Sequence, residues 1–361
     1  MIPVAEPMLG EREQELVADA VESGWISPKG EYVDRFEAKF ASFADTETAL
    51  ATSTGTAALH LALVAAGVGE GDEVLVPSLT WIACANTVTY VGADPVFVDV
   101  DPDTYTMDPD AAREAVTEDT EAMMPVHLYG HPCDMDPLLD LADEHNLTVI
   151  EDCAEAHGAT YEESPVGSIG DIGCFSFYAN KVFTTGQGGM ITTGDPELAD
   201  RVYLYRRDGM SEERKYYHPM IGYNYRLTNV QAALGVAQLE RAETIIEKKR
   251  AVGEQYTQAL NHLPVTVNPN ADWASSVYWM NTAVFDSEDT KERVVAALSD
   301  ADIETRPFFV PLHHQPPYQG SEWTPCPVAE RLHKRGINLP SSPKLDSDSV
   351  STVCDRLRAA I

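Results

Sequence analysis

The stretch FSFYANKVFTTGQGG, residues 175–189, carries a lysine, Lys181, between an aromatic run typical of a strand and a loop of glycines and threonines. Taken alone, this lysine would be interpreted as an ordinary surface residue, because exposed lysines are the rule. The strand pattern before it is one of several in this part of the chain, so the surroundings of Lys181 indicate both the fold class and what the lysine does.

Short β-branched runs alternate with longer amphipathic segments through the first two thirds of the chain. The predicted strands are EVLVP (73–77), PVFVDV (95–100), AMMPVH (122–127), TVIED (148–152), CFSFY (174–178) and MITTG (190–194). The helical segments between them include TAALHLALVAAG, WIACANTVTYVG and MDPLLDLADEHN. This alternation predicts an α/β fold with a mostly parallel sheet and functional residues at the carboxyl ends of its strands.

The last third of the chain has a different pattern. A helical segment runs without interruption from about residue 228 to 260, and its length suggests a connector between domains. The segments VYWMNTAVF, DTKERVVAALSDADIETR and SDSVSTVCDRLRAAI then describe a smaller α+β unit. Because a chain of 361 residues is longer than one core usually serves, we expect a large domain over residues 1–240 and a small C-terminal domain over 241–361.

The formal net charge of −33 is spread along the chain. Such a surface repels nucleic acid and anionic membranes, so neither is expected as a partner. Self-repulsion of this size destabilises the compact state at low salt, which favours a salt-rich, halophilic habitat. The sequence contains no run of about 18 apolar residues and no signal-peptide pattern at its start, so we expect a soluble, cytoplasmic protein.

The cysteine and histidine pattern argues against a metal or a disulfide framework. The six cysteines lie far apart and form no C-x-x-C pair. The segment HLYGHPCD places His127, His131, Cys133 and Asp134 close together, but a glycine and a proline interrupt it and no second ligand cluster follows. We therefore expect free thiols and no bound metal.

Three strand ends carry residues with complementary chemistry. Ser53, Thr54, Gly55 and Thr56 directly precede a helix, whose free N–H groups suit an anion, although a plain threonine N-cap has the same pattern. Asp152 ends the strand TVIED, and Lys181 follows the next predicted strand, CFSFY. A phosphate site, a buried acid and a lysine together suit pyridoxal 5′-phosphate (PLP), which takes a lysine as a Schiff base and an acid beside its ring nitrogen.

The chain also resembles the sugar aminotransferases of the fold type I PLP superfamily nearly from end to end. The resemblance rests on many motifs in order: IPVAEP, SGWIS, GEYVDRFE, ATSTGTAALHLAL, VPSLTWIACAN, FVDVDPDTYTMDP, PVHLYGHPCDMD, EDCAEAHGA, GDIGCFSFYANKVFTTGQGG, GYNYRLTNVQAALGVAQLE, ETRPFFVPLH and NLPSS. It implies a large, mostly parallel sheet domain that binds PLP and a smaller C-terminal α+β domain.

The resemblance implies a role for each matching position. Lys181 would bond to the cofactor and later move protons, and Asp152 would keep the ring nitrogen protonated. The implied contacts to the ring face, the phenolic oxygen and the phosphate are Trp81, Glu155, Gly55, Thr56 and Ser176. Core packing is the alternative for Trp81. Gln187 departs from the pattern, because the related enzymes have a glutamate there, and the change removes a charge while keeping size and hydrogen bonding.

The activity implied by the resemblance is transfer of an amino group from glutamate to the keto carbon of a nucleotide-linked 4-keto-6-deoxy sugar, with GDP as the expected nucleotide. The same chemistry on a UDP- or dTDP-linked sugar is the main alternative. A PLP-dependent sugar dehydratase is disfavoured because such relatives replace the lysine with histidine. A cofactor-free binding protein would be expected to lack Lys181 or Asp152, and this chain has both.

The segment HPMIGYNYRLTN, residues 218–229, is rich in tyrosine, glycine and asparagine and precedes the long helical segment. It carries more aromatic surface than an exposed loop usually leaves in water, so an interface is expected. In related enzymes this loop crosses a two-fold axis, which implies a homodimer in which Asn224 reaches the partner's cofactor phosphate; the alternative for Asn224 is a turn residue. Further candidates for sugar or nucleotide contacts are His218, Arg226, His313 and His314.

Overall fold

In the computed structural model, which describes residues 1–321 and 324–361, fourteen strands form three sheets. The strands are β1 Thr48–Thr52, β2 Glu73–Pro77, β3 Asp94–Val98, β4 Thr120–Met123, β5 Thr148–Asp152, β6 Thr160–Tyr161, β7 Ser164–Pro165, β8 Ile172–Ser176, β9 Gly189–Thr193, β10 Val265–Val267, β11 Ala274–Ser275, β12 Asn281–Phe285, β13 Arg306–Pro307 and β14 Gly336–Leu339.

Twelve α-helices within the same described ranges cover or connect these sheets. They are α1 Glu11–Glu22, α2 Glu31–Ala44, α3 Gly55–Ala66, α4 Ala83–Tyr90, α5 Pro109–Ala115, α6 Met135–His145, α7 Pro196–Tyr205, α8 Asn229–Leu239, α9 Ala242–Leu260, α10 Glu288–Ser299, α11 Pro327–Arg335 and α12 Ser347–Ala360. No helix in this part of the chain is both long enough and apolar enough to cross a bilayer.

The largest sheet has the strand order β1-β9-β8-β5-β4-β2-β3. Five neighbouring strands, from β8 to β3, pair in parallel, and β9 runs antiparallel to both β8 and β1. The sheet is therefore mostly parallel, as the sequence predicts. Because helices cover it on both faces, its strands are apolar nearly throughout rather than alternating.

The predicted and observed strands agree closely in the centre of this sheet. The strands β2 and β5 have the predicted bounds, 73–77 and 148–152, and the other four predicted strands are displaced by about two residues or less at their starts. The predicted strands do not include β1, whose residues TALAT have two alanines and one leucine between two threonines. This edge strand is held by its pairing with β9, a long-range contact that no local pattern shows.

A second sheet, of order β10-β12-β14-β13, is antiparallel throughout. Helices α9, α10 and α12 pack against this sheet, and the core between them includes Tyr256, Phe285, Leu298 and Leu357. The chain start also reaches this unit, since Ile2 donates its N–H to the Asp302 carbonyl oxygen at 2.8 Å. The division at residue 240 remains a prediction.

The expectation of one uninterrupted helix from 228 to 260 is wrong. Helix α8 ends at Leu239 and α9 begins at Ala242. Between them Arg241 leaves the helical region, with φ −122° and ψ 14°. Its guanidinium donates to the Glu13 carboxylate on α1 at 2.9 Å. The break allows α8 to pack against α1 and α2 while α9 turns toward the second sheet.

Candidate active site

A cavity of about 520 Å³ opens beyond the carboxyl ends of β5 and β8, where ligands bind in open α/β sheets. One wall is formed by these strand ends and by the start of α3. Residues near β13 and β14 of the second sheet form part of the opposite wall. Seven residues that the sequence predicted as cofactor contacts line this cavity: Gly55, Thr56, Trp81, Asp152, Glu155, Ser176 and Lys181.

Asp152 is the last residue of β5, and its side chain is nearly fully buried. One carboxylate oxygen, Oδ1, accepts the Ala154 backbone N–H at 2.9 Å. The other, Oδ2, accepts the thiol of Cys84 at 3.1 Å. Burial and the nearby Asp152 carboxylate raise the pKa of the Cys84 thiol, so the sulfur keeps the proton that it donates. The carboxylate is thus fixed in orientation, and none of the described residues pairs it with a cation.

Lys181 lies in a turn directly after β8 and is partly buried. Its Nζ is 3.3 Å from Glu155 Oε1 and 3.9 Å from the centre of the Trp279 ring. The indole N–H of Trp279 donates to the Asn180 carbonyl oxygen at 2.7 Å, which holds the ring against the lysine's own turn. The amine is therefore confined between a carboxylate and an aromatic face inside the cavity.

Glu155 is buried and accepts the Tyr129 backbone N–H at 2.9 Å through Oε2. Burial raises the pKa of Glu155, although the Lys181 charge and the Tyr129 hydrogen bond partly offset this effect. A raised pKa means that this carboxyl group takes up a proton more readily than an exposed glutamate. It can therefore hold a proton beside the amine.

The start of α3 is shaped for close approach. Thr54 is its N-cap, and the Thr54 hydroxyl accepts the Ala57 N–H at 3.0 Å. A Cβ added at Gly55 would lie 2.7 Å from the Ser176 Cβ, so only glycine allows the helix start to sit against the end of β8. The N–H groups of this first turn and the Ser176 hydroxyl form a concave site suited to an anion.

These residues fit PLP. Lys181 supplies an amine for the aldehyde, Asp152 supplies a carboxylate for the ring nitrogen, and Gly55 allows the helix start, which suits a phosphate, to lie against Ser176. Trp81 is 59% exposed and lies on the cavity wall with its ring 5.9 Å from that of Phe309, so it is not a core residue. An exposed aromatic face in this place suits stacking on a flat ring.

Comparison with known proteins agrees with this geometry. The sequence profile of the DegT/DnrJ/EryC1/StrS aminotransferase family matches residues 7–358. The chain belongs to this family. It is therefore an aminotransferase that uses PLP, with the fold type I architecture that the sequence predicts.

Named relatives and solved structures match over nearly the whole chain. The GDP-perosamine synthase of Escherichia coli O157:H7 is 46% identical over 99% of this chain and 97% of its own. That of Caulobacter vibrioides is 45% identical over 100% and 97%. The sugar aminotransferase Spr1654 from Streptococcus pneumoniae, described as putative and solved in its PLP form, is 28% identical, covers 99% of this chain and 98% of its own, and superposes with a TM-score of 0.95.

The predicted loop residues lie apart from the cavity lining found among the described residues of the single chain. Arg226 donates to the Asn224 amide oxygen at 3.3 Å and lies 3.5 Å from the Asp208 carboxylate. His218 Nδ1 is 2.9 Å from the Asp208 carbonyl oxygen. Asn224 is thus held by a local side-chain contact. The backbone of the same loop lies beside the residues that precede α3, since the Tyr225 carbonyl oxygen accepts the Ser53 N–H at 2.9 Å.

His313 and His314 also lie apart from that lining. They follow Phe309, which does line the cavity, but the chain then turns through a short 3-10 segment, Leu312–His314. Both imidazoles face Glu330 on α11. Their predicted role as sugar or nucleotide contacts therefore has no geometric support within one chain.

The polar side chains of segment 127–134 each make their own hydrogen bonds. His127 Nδ1 accepts the Cys133 N–H at 3.0 Å, while its Nε2 lies 2.9 Å from Glu151. His131 Nδ1 contacts the Pro132 carbonyl oxygen at 2.7 Å. Asp134 accepts the Tyr161 hydroxyl at 3.0 Å. The four candidate ligands His127, His131, Cys133 and Asp134 do not converge on one point.

Sequence reasoning missed several residues of the site. Four lining residues come from the last third of the chain: Trp279, which packs on Lys181, and Arg306, Phe309 and Asn338. Their segments, VYWMNTAVF and ETRPFFVPLH, were recognised as part of the second unit or of the resemblance, but nothing in their spacing indicates which side chains face the cavity. Cys84 was missed because a lone buried cysteine in a helix has no signature of contact with an acid.

Proposed function

We propose that the chain transfers the amino group of glutamate to the keto carbon of GDP-4-keto-6-deoxymannose, giving GDP-perosamine. The relatives that support this substrate are three proteins named GDP-perosamine synthase, 41–46% identical over 99–100% of the chain. A relative named for a dTDP-linked amino sugar is 37% identical over 91%. The observation that carries the proposal is that the matches to the three GDP-perosamine synthases span 99–100% of the chain at the higher identity, and so include the late segments that line the cavity.

Each residue of the cavity has a proposed task. Lys181 Nζ would hold the cofactor through its aldehyde, and the free amine at this atom would serve to take up and deliver a proton. Asp152 keeps the ring nitrogen protonated, and Gly55, Thr56 and Ser176 hold the phosphate. When bound, PLP supplies an electron sink and carries the amino group between the two half-reactions.

Glu155 is proposed to hold a second proton beside Lys181. Its raised pKa and its distance of 3.3 Å from Lys181 Nζ allow one proton to be shared between the two groups. Arg306 places a guanidinium on the opposite wall. Both proposed substrates are anionic, as dicarboxylate and as diphosphate, so a cation there suits either one.

Isotope-labelled glutamate tests the proposed substrate. Purified holoenzyme is incubated with labelled glutamate and, separately, with the GDP-, UDP- and dTDP-linked 4-keto-6-deoxy sugars, and mass spectrometry follows the labelled nitrogen. We expect label in the GDP-linked product and none with Lys181→Ala. Label confined to a UDP- or dTDP-linked product would refute the GDP assignment while leaving the aminotransferase activity in place.

We further propose a homodimer in which two chains share their active sites through the loop that contains Asn224. The loop exposes Tyr216, Tyr217 and Ile221, the last at 89%, which is a large apolar surface for a free chain. A two-fold axis would place the two loops equivalently. Asn224 and Arg226, which lie outside the chain's own cavity lining, would then have a cofactor phosphate within reach across the interface.

Mixing two inactive variants tests the shared site. Lys181→Ala and Asn224→Asp are exchanged into mixed dimers, and native mass spectrometry confirms the exchange. If each site uses Lys181 from one chain and Asn224 from the other, one site carries both defects and its twin carries neither, so up to about half of the wild-type activity returns. Confirmed mixed dimers without recovered activity would refute the arrangement.

Salt adaptation and a cytoplasmic location are proposed from the charge of −33. If repulsion between surface carboxylates is what salt relieves, the melting temperature rises steeply from about 0.1 to 2 M KCl, beyond the range where Debye screening is nearly complete. A melting temperature that stays level over this range would refute the halophilic proposal and leave the enzymatic one untouched.

A further inference from the structure

Three side chains with metal-binding chemistry meet at a place that the proposed reaction does not use. His313, His314 and Glu330 each offer one ligand atom, and these atoms all lie within 4.8 Å of one another. The two histidines belong to the 3-10 turn Leu312–His314, and Glu330 lies in the first turn of α11. The His314 side chain is 45% exposed and that of Glu330 34%, so the cluster is open to ions from solvent on one side.

The large sheet fixes both elements that carry these ligands. The Leu312 N–H donates to the Ser78 carbonyl oxygen at 2.8 Å, directly after β2. Asp99, just beyond β3, accepts the N–H groups of Val328 at 2.9 Å and Ala329 at 2.8 Å, which holds the start of α11. The positions of the ligands are therefore set by the ends of two adjacent strands, as a preformed site requires.

The orientation of His313 is set in the way that metal-binding histidines usually are. Its Nδ1 lies 2.7 Å from the Ser78 hydroxyl oxygen. With Nδ1–H as the donor in that bond, Nε2 presents its lone pair on the side of Glu330.

The separations between ligand atoms suit an ion better than hydrogen bonds. Glu330 Oε1 is 3.5 Å from His313 Nε2 and 3.6 Å from His314 Nε2, both too long for good hydrogen bonds. Two ligands about 2.0–2.1 Å from a tetrahedral zinc ion stand roughly 3.3–3.5 Å apart. We propose that His313, His314 and Glu330 bind one divalent transition-metal ion, with zinc as the best match, and that water completes its coordination.

The ligand set selects the class of ion. Imidazole nitrogens favour zinc, copper and nickel over magnesium and calcium, which prefer oxygen ligands. Asp99 lies close enough to add negative potential at His313, and the whole chain carries an excess of negative charge. An ion here would join the 3-10 turn to α11 next to Ser78, three residues before Trp81 of the cavity wall. It would stabilise this wall without contacting the reacting groups.

Cobalt and zinc titrations of the holoenzyme test the site. After dialysis against EDTA, we expect wild-type protein to bind one equivalent of Co²⁺ with the intense visible bands of tetrahedral coordination, and Zn²⁺ to displace it. His314→Ala and Glu330→Gln should abolish these bands. Both positions are partly exposed, so the variants are expected to fold, and circular dichroism and PLP absorbance check that they do.

His262→Ala is the matched control, because His262 is an exposed histidine outside the cluster. This variant should bind Co²⁺ as wild type does. Zinc should also raise the melting temperature of wild type and of His262→Ala but not that of His314→Ala. Absence of tetrahedral Co²⁺ bands in wild type, or their persistence in both cluster variants, would overturn the proposal. Bands lost equally in His262→Ala would overturn it as well.

Discussion

Two adjacent carboxylates at the end of β5 lie on opposite faces of the large sheet and have different hydrogen-bond partners. Glu151 and Asp152 are neighbours on this strand, and successive side chains of a strand point to opposite faces. Asp152 faces the cavity, where it accepts one backbone N–H and one thiol. Glu151 faces away and is fully buried, and its oxygens accept from His127 and from the backbone N–H groups of Gly167, Ile169 and Gly170.

The difference between these two residues lies in what remains available after folding. The oxygens of Glu151 make four short contacts, of 2.7–2.9 Å: three with the loop before β8 and one with His127, which follows β4. His127 Nδ1 accepts a backbone N–H. The proton of the neutral ring is therefore on Nε2, and Nε2–H donates a hydrogen bond to Glu151. Asp152 has fewer partners, and none of them among the described residues is a cation, so its charge can act on a bound cofactor. Substitutions on the two faces should therefore separate a catalytic carboxylate from a structural one.

The largest effect is expected from Lys181→Ala on the cavity side. Transamination should disappear, because the substitution removes the amine that would bond to the cofactor. Stability should change little, since Glu155 has a raised pKa and can become neutral when its partner is removed. Turnover, visible absorbance and melting temperature are measured together. Lys344→Ala, at an exposed position, is the control, and normal turnover by Lys181→Ala would refute the assignment.

Asp152→Asn tests whether the charge on this face is catalytic. The amide can still accept the Ala154 N–H, so the fold should be retained, but the ring nitrogen would lose its anionic partner. Turnover should fall about 10²- to 10³-fold, as when a charge-stabilising group is removed from a dry site. Steady-state kinetics and cofactor content measure the effect. Activity within a few-fold of wild type would make Asp152 a structural cap instead.

Glu151→Gln should do the opposite and destabilise the protein while sparing the chemistry. Backbone N–H groups donate to both carboxylate oxygens, so the amide N–H₂ of glutamine would face an N–H donor in either orientation. We therefore expect a loss of about 3 kcal/mol in the free energy of unfolding. Turnover per folded molecule should remain within a few-fold of wild type. Denaturant unfolding and active-site-normalised kinetics test both halves. A large loss of turnover in fully folded protein would contradict the comparison.

The effect of Glu151 should depend on pH in a defined direction. Burial alone would raise the pKa of Glu151, but the hydrogen bonds from His127 and from the backbone outweigh burial and lower it. A carboxyl group with a lowered pKa stabilises the fold above its unfolded pKa, about 4.3 for glutamate, and this contribution is lost as the pH falls through the folded value. The stability difference between wild type and Glu151→Gln should therefore narrow only in acid.

Cys84→Ala should have the smallest effect. It removes the thiol donor from Asp152 Oδ2 but leaves the charge and the Ala154 contact. Because a thiol is a weak donor, turnover should fall only about two- to tenfold. Cys84→Ser, which restores a donor of similar size, should recover part of the loss. If Ala and Ser variants are equally impaired, packing around Cys84 matters and the hydrogen bond does not.

Local sequence patterns predicted the central strands because a parallel sheet buried on both faces needs continuous apolar runs. The bounds of β2 and β5 agree to the residue. The same logic failed where a contact from elsewhere decides the structure. The edge strand β1 exists through its pairing with β9, and the helix predicted over 228–260 breaks where Arg241 reaches Glu13 on α1.

The sequence also predicted part of the site, namely its acid and its lysine. Asp152 ends one predicted strand and Lys181 follows another, and the ends of parallel strands meet at one edge of the sheet. The lining residues from the last third of the chain were not predicted, because Trp279 and Arg306 approach Lys181 only when the second unit packs over the cavity. The contact between Cys84 and Asp152 spans 68 residues of sequence and leaves no local trace.

The sequence by itself determined the α/β class, the aminotransferase family and the strand ends that carry the lysine and the acid, since periodicity and motif order are local properties of the chain. Only the tertiary structure decided that Glu151 is structural and Asp152 faces the cavity, that Trp279 covers Lys181, and that Glu330 meets two histidines. The physical reason is that burial, pKa and hydrogen-bond partners depend on which distant segments pack together, and one residue of register on a strand reverses the face that a side chain occupies.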